Sequence, residues 1–135
     1  MAITISERRD IEPSSILDLY RANKWSSAEK PQELINALRN SHTLFSAWDS
    51  DKLVGIGNAI SDGYLVVYYP HLLVHPNYHG KGIGQLIMKR MKERYSHFHM
   101  QILTADEQAI NFYKKVGFVR AGQTEPMWIY SGDEH

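Results

Sequence analysis

The sequence predicts an α/β protein: a single domain over residues 1–135, with helices packed on the faces of a mixed sheet. Three observations carry this. Short stretches of period-two alternation are interleaved with stretches of helical period, and are not segregated to one end of the chain. No repeat, low-complexity tract or Ser/Gly-rich linker divides the chain. One glycine-rich turn, His79–Gly84, joins a strand pattern directly to a helix pattern.

Each element has its own signal. Ala2–Arg8 alternates as a strand does. Glu12-Pro13 opens a helix to about Ala22, because proline suits the first helical position, where its missing N–H has no partner. A second short helix runs from about Pro31 to Arg39, with Leu34, Ile35 and Leu38 on one side. Thr43–Trp48 and Leu53–Ile60 are strands joined by the polar turn Asp49-Ser50-Asp51. After the turn Ser61-Asp62-Gly63, Tyr64–Val74 is a third, long strand, and the three form an antiparallel meander. Ile83–Tyr95 is amphipathic, with Ile83, Leu86, Ile87 and Met91 on the apolar face. His99–Leu103 is a short strand, and Thr104-Ala105-Asp106-Glu107 has the form of a capping box. Gly117, after Lys114-Lys115, ends the helix that follows. Phe118–Arg120 and Met127–Tyr130 close the chain as strands, giving the order β-α-α-β-β-β-α-β-α-β-β.

Composition removes several function classes. Fifteen Lys and Arg balance fifteen Asp and Glu, so no global field attracts nucleic acid or an anionic membrane. An anionic ligand must therefore be held by local geometry. The absence of cysteine excludes disulfides, thiolate metal sites and a cysteine nucleophile. None of the seven histidines pairs at HxxxH-type spacing near carboxylates, so no metal is expected. The N-terminus has a strand pattern, not that of a signal peptide. The most apolar run, Tyr64–Val74, is far below the roughly 20 residues of a membrane helix, and a cytoplasmic protein is expected.

The glycine loop carries the strongest functional signal. Leu72-Leu73-Val74-His75-Pro76 leads into His79-Gly80-Lys81-Gly82-Ile83-Gly84 and a helix. Alternating glycines let the backbone approach a ligand and turn successive N–H groups outward at the positive end of the helix. That arrangement suits a phosphate or pyrophosphate. A Walker loop would need G-x-x-x-x-G-K-S/T, and no Lys-Ser or Lys-Thr follows these glycines. A dinucleotide fingerprint would need G-x-G-x-x-G, which the spacing also fails.

The same stretch resembles the fingerprint of the GNAT acetyltransferase superfamily, Q/R-x-x-G-x-G/A after a strand ending in Val-x-Pro. His79 stands where that pattern has Gln or Arg. A second motif, N-x-x-A-x-x-F/L-Y-x-x-x-G-F, is matched by Ala109, Phe112, Tyr113, Gly117 and Phe118, with Asp106 in place of Asn. The resemblance implies the GNAT fold, with a splayed, bulged central strand, and acetyl-CoA as cosubstrate. It implies that main chain at Leu72, Leu73 and Val74 pairs with pantetheine. It further implies that residues His79 to Gly84 (His79, Gly80, Lys81, Gly82, Ile83, Gly84), with Ala109, Phe112, Tyr113 and Lys115, line the cofactor. Pro70 fits such a strand, since proline cannot donate to a ladder and belongs at an edge or bulge.

The implied reaction is direct attack of a primary amine on the thioester, with Tyr113 as the general acid for the leaving thiol. The base is open among His71, Asp62 and ordered water, with Asp62 also a candidate contact for the amine. Gly57-x-Ala59-x-Ser61-Asp62, the Tyr78-His79-Gly80 stretch and Met127-Trp128-x-Tyr130 also look like the plastid and cyanobacterial nuclear-shuttle-interacting type. That group includes enzymes acetylating arylalkylamines, other amines and protein lysines. A small-molecule amine, arylalkylamine or polyamine-like, is the expected substrate, with Trp25, Tyr64, Tyr68, Tyr69 and Trp128 as candidate pocket aromatics. By analogy the partner is a second copy in a homodimer. The alternative is a non-catalytic CoA-binding module of the same fold.

Overall fold

A computed structural model describes residues 2–132 of the chain. Its strands are β1 (Ile3–Ser6), β2 (Thr43–Asp49), β3 (Lys52–Ser61), β4 (Val66–Tyr68), β5 (Leu72–Val74) and β6 (Met100–Ile102). Its α-helices are α1 (Pro13–Ala22), α2 (Pro31–Arg39), α3 (Ile83–Arg94) and α4 (Ile110–Lys115). The sheet runs β1-β2-β3-β4-β6, with β5 paired to β3 beyond the end of β4. All pairs are antiparallel except β4 with β6. The mixed α/β class read from the sequence is the class observed.

Side-chain alternation on the central strands divides the core between two faces. Leu44 and Trp48 of β2 join Ile16, Leu19, Leu34, Ile35 and Leu38 under α1 and α2. Phe45 and Ala47 point the other way and pack with Ile83, Ile87, Met88 and Met91 of α3. Strands covered on both faces are buried along their length, which is the pattern of β2 and of most of β3. A Cβ on Gly57 would lie 2.8 Å from Ile87, so a side chain here would push α3 off the sheet.

Three expectations need correction. The long strand Tyr64–Val74 is two strands, interrupted at Tyr69-Pro70-His71. The capping box at Thr104–Glu107 does not form: a 3-10 turn spans Glu107–Ala109, its cap Asp106 makes no side-chain capping bond, and α4 starts at Ile110. A box needs the helix to begin directly after its first residue, and here two extended residues intervene. The closing strands Phe118–Arg120 and Met127–Tyr130 are not strands in the described residues. Both have strand composition, but an isolated segment finds no ladder for its backbone, and β6 keeps an unpaired outer edge.

Candidate active site

The interruption in the third strand is a bulge built from identifiable parts. Gly57 faces Leu72 and Ile60 faces Tyr68, so Asn58 and Ala59 stand opposite three residues, Tyr69, Pro70 and His71. Pro70 has no N–H for the ladder. Buried Asn58 bridges the break: its Oδ1 accepts from the His71 N–H at 3.0 Å, and its Nδ2 donates to Ser41 Oγ at 3.0 Å. The sheet opens as a result. The Tyr69 N–H still donates to the Ile102 carbonyl at 3.1 Å, but beyond that link β5 pairs with β3 alone.

β5 thus presents an edge to a gap. The Asn58 N–H donates to the His71 carbonyl and the His75 N–H donates to the Val54 carbonyl, so these two residues aim main chain at β3. By strand alternation, the main-chain groups of Leu72 and Val74 face the gap. His79 Nε2 lies 2.7 Å from the Val74 carbonyl, which can only accept, so Nε2 carries the hydrogen. This occupies the Val74 oxygen and ties the glycine loop to the strand.

At the loop, Gly80 and Gly82 have φ of +77° and +81°, and a Cβ at either would meet nothing within 4 Å. The first backbone bond closing α3 is the Leu86 N–H to the Gly82 carbonyl. The amides of residues 80–85 donate to no acceptor among the described residues. A helix of 12 residues therefore begins with a row of uncommitted N–H groups at its positive end. Tyr78 anchors the approach, donating to Asp49 Oδ2 at 2.6 Å. Between α3 and α4 a groove of about 500 Å³ is lined by Gln85, Lys89, Glu93 and Lys115 among others. Lys92 in its wall donates from Nζ to the Val116 carbonyl.

α4 leans on the start of α3. The Phe112 ring lies where a Cβ on Gly84 would be 3.2 Å from it, so glycine is needed there for contact. Tyr113 is half-buried, edge-on to Phe112 and Phe118, and Phe118 meets Tyr69 edge-on. Burial, and then the charge of Asp106, pushes the Tyr113 phenol up to about 12. Its proton is retained at neutral pH. Ala109 lies in the 3-10 turn that leads into α4.

His71 sits on the other side of the break. The Tyr20 hydroxyl lies 2.7 Å from its Nδ1, and Trp25 packs edge-on to the ring at 5.0 Å. Tyr20 is fully buried and its phenol is held far above the usual range by that burial. With no second acceptor among the described residues, Tyr20 donates to Nδ1, which leaves the His71 hydrogen on Nε2. The Nδ1 of His71 is thus engaged by Tyr20. Asp62 is committed to its turn: Oδ1 accepts from the N–H groups of Tyr64 at 2.8 Å and Leu65 at 2.7 Å. Those bonds hold its carboxyl below the usual range. It lies just past the end of β3, four residues on from Asn58, which is about 13 Å of extended chain.

The aromatic residues fall into groups, with the C-terminal pair reaching the residue next to Trp25. Trp25 is beside His71, and Trp128 is edge-on to Tyr130, whose hydroxyl lies 2.8 Å from Ser26 Oγ. Tyr69 packs on the α3 side, and Tyr64 is 89% exposed in a turn. Sequence reasoning missed Tyr20 and Asn58. The only signal for Asn58 was one amide in an otherwise apolar strand, between Gly57 and Ala59.

A bulged strand, a gap beside it and an amide-lined helix start together define an acyl-CoA-dependent transferase architecture, and comparison with known proteins agrees. Residues 8–126 match the family described as "Acetyltransferase (GNAT) domain". The chain belongs to the GNAT acetyltransferase family and is an N-acetyltransferase. It is 31% identical to the peptidyl-lysine N-acetyltransferase YiaC of Escherichia coli K12, over 94% of each chain. It is 25% identical to the uncharacterized N-acetyltransferase ycf52 of Pyropia yezoensis, over 87% of this chain and 71% of that one. Among solved structures, a GNAT family acetyltransferase from Streptococcus pneumoniae superposes with a TM-score of 0.82 at 28% identity, covering 97% of this chain and 100% of that one. The family implies acetyl-CoA as the acetyl donor. Among the described residues no helix is long and apolar enough to cross a membrane.

Proposed function

We propose that the protein transfers acetyl from acetyl-CoA to a small-molecule primary amine by direct attack of the amine on the thioester. The row of uncommitted amides at residues 80–85, beside the gap along β5, carries this reading. In it, Gly80, Lys81, Gly82, Ile83 and Gly84 hold the diphosphate through main chain, and Lys115 faces it from the groove. The N–H groups of Leu72 and Val74 pair with the pantetheine amides.

The chemistry then has three demands. An amine with pKa of roughly 10.4 is neutral only about once in 2,500 molecules at pH 7, so deprotonation costs about 4.6 kcal/mol. With His71 Nδ1 engaged by Tyr20 and Asp62 held in its turn, water takes that proton. The amine nitrogen forms its bond to the carbonyl carbon and the C–S bond breaks. Tyr113, protonated at neutral pH, gives its proton to the departing sulfur, and the second proton, shed by the nitrogen as the amide forms, returns through water to the Tyr113 phenolate. Trp25 and the His71 ring, packed edge-on, supply an aromatic wall for the acceptor.

A second acceptor, a protein lysine, is favoured by the 31% identity to the peptidyl-lysine enzyme YiaC. Initial rates on arylalkylamines, polyamines and lysine peptides separate the two. A preference for peptides discards the small-amine reading. Tyr113→Phe is expected to lower kcat about 100-fold, as for loss of a general acid, with the KM for acetyl-CoA nearly unchanged. An unaltered kcat removes Tyr113 from proton transfer.

A further inference from the structure

The helix that carries Tyr113 has little to hold it by itself. α4 has six residues, Ile110–Lys115, and none of them is buried. Isolated helices are marginal below roughly 12–15 residues, so α4 takes its position from tertiary ties. One tie is apolar: the Phe112 ring rests on Gly84, near the start of α3. Phe118, just past the helix, meets Tyr69 edge-on.

A polar tie secures the other end. The Phe118 N–H donates to the Tyr113 carbonyl at 3.0 Å and the Gly117 N–H to the Lys114 carbonyl at 3.1 Å, with Gly117 at φ +105°. This glycine cap leaves the carbonyl of Val116, the cap residue, outside its own two bonds. Lys92 on α3 donates to that carbonyl from Nζ. No carboxylate pairs with Lys92 among the described residues, and an ammonium is favoured at the negative end of a helix. Gly117 makes room for it: a Cβ there would lie 2.9 Å from Lys92 Nζ.

We infer, resting on the reading of Tyr113 as the general acid, that Lys92 is a positioning residue: it pins the C-terminal end of α4 to α3 and so fixes where the Tyr113 hydroxyl stands. Lys92 lies eight residues beyond Gly84 on α3, about 12 Å along the helix axis. α4 is therefore tied to α3 at two separated points, Phe112 on Gly84 and Val116 on Lys92. One point alone would leave a short helix free to pivot, and two set its direction. The Tyr113 carbonyl belongs to the cap that Lys92 holds, and its ring is edge-on to Phe118, which completes that cap. Proton delivery needs the hydroxyl within hydrogen-bond reach of the sulfur, so a swing of α4 by about 1 Å is enough to slow it.

Lys92→Met keeps the apolar stem of this half-buried side chain and removes its donor and charge, so the fold is expected to persist. In the free protein, amide hydrogen exchange at Gly117 and Phe118 is expected to quicken about tenfold. The amine turned over fastest among arylalkylamines, polyamines and lysine peptides serves as acceptor. With it, kcat is expected to fall about tenfold while the KM for acetyl-CoA stays within about twofold. In a Tyr113→Phe background the same change is expected to cost less than about twofold, since the group it positions is gone. Unchanged exchange at Gly117 and Phe118 overturns the proposal. So does a raised KM with kcat intact, which makes Lys92 a cofactor contact. A kcat loss that multiplies with that of Tyr113→Phe overturns it too, by showing that Lys92 acts independently. An unaltered kcat in Tyr113→Phe alone overturns the general-acid reading and this proposal with it. A loss in Tyr113→Phe with none in Lys92→Met overturns this proposal only.

Discussion

The residues that matter most act through what they let the backbone do. Gly82 caps α3 with φ +81°, in the left-handed region where a Cβ costs about 1–2 kcal/mol. Space around it is open, so Gly82→Ala strains or re-aims the loop without a clash. The expected result is a KM for acetyl-CoA raised roughly tenfold, the equivalent of about 1.4 kcal/mol, with little change in kcat. Lys81→Ala, which removes an exposed charge but no amide, is the control. Should Lys81→Ala raise KM more than Gly82→Ala, the side chain and not the main chain holds the phosphates. The glycine spacing was legible because φ preference and helix geometry are local. The role of His71 was not, since the tautomer depends on Tyr20, 51 residues away in the chain.

At the scale of elements, the decisive feature is the break between β4 and β5. Pro70 announces it in the sequence, yet the apolar run Tyr64–Val74 reads as one strand because hydrophobicity continues across the bulge. What shapes the break is Asn58 on the neighbouring strand. Asn58→Ala orphans the His71 N–H in a half-buried site, at a cost of about 1–3 kcal/mol. The variant is expected to keep its secondary structure by circular dichroism, lose a few degrees of Tm and lose kcat as the β5 edge shifts. Full activity at a lowered Tm would confine Asn58 to stability. Strand pairing across a bulge is a tertiary property, which explains why the helices α1 and α2 began where expected while the third strand did not remain whole.

For the molecule as a whole, buried phenols set an alkaline limit. Burial raises Tyr20, Tyr69, Tyr95 and Tyr113 above the ordinary tyrosine value, in the last case to about 12. The folded state therefore keeps these protons where the unfolded chain loses them, near pH 10. Stability from this source is intact below about pH 10 and falls as pH rises toward and beyond 12. Urea midpoints are expected to decline across that range, and phenolate absorbance from these four should appear at higher pH than that of the exposed rings. If all eight tyrosines ionise together near pH 10 with the fold intact, these rings are more open to water than their packing indicates.

The chain's own order determined the class of fold, the glycine turn at the start of α3 and the family, because each depends on residues within a few positions of one another: period, proline, and glycines set at a helix start. Tertiary structure alone decided which histidine nitrogen carries a hydrogen, where the sheet parts, and that residues 118–132 form no strand. Those outcomes depend on which distant groups meet, and a hydrogen bond or a strand pair has no address in a linear sequence until folding brings its two halves together.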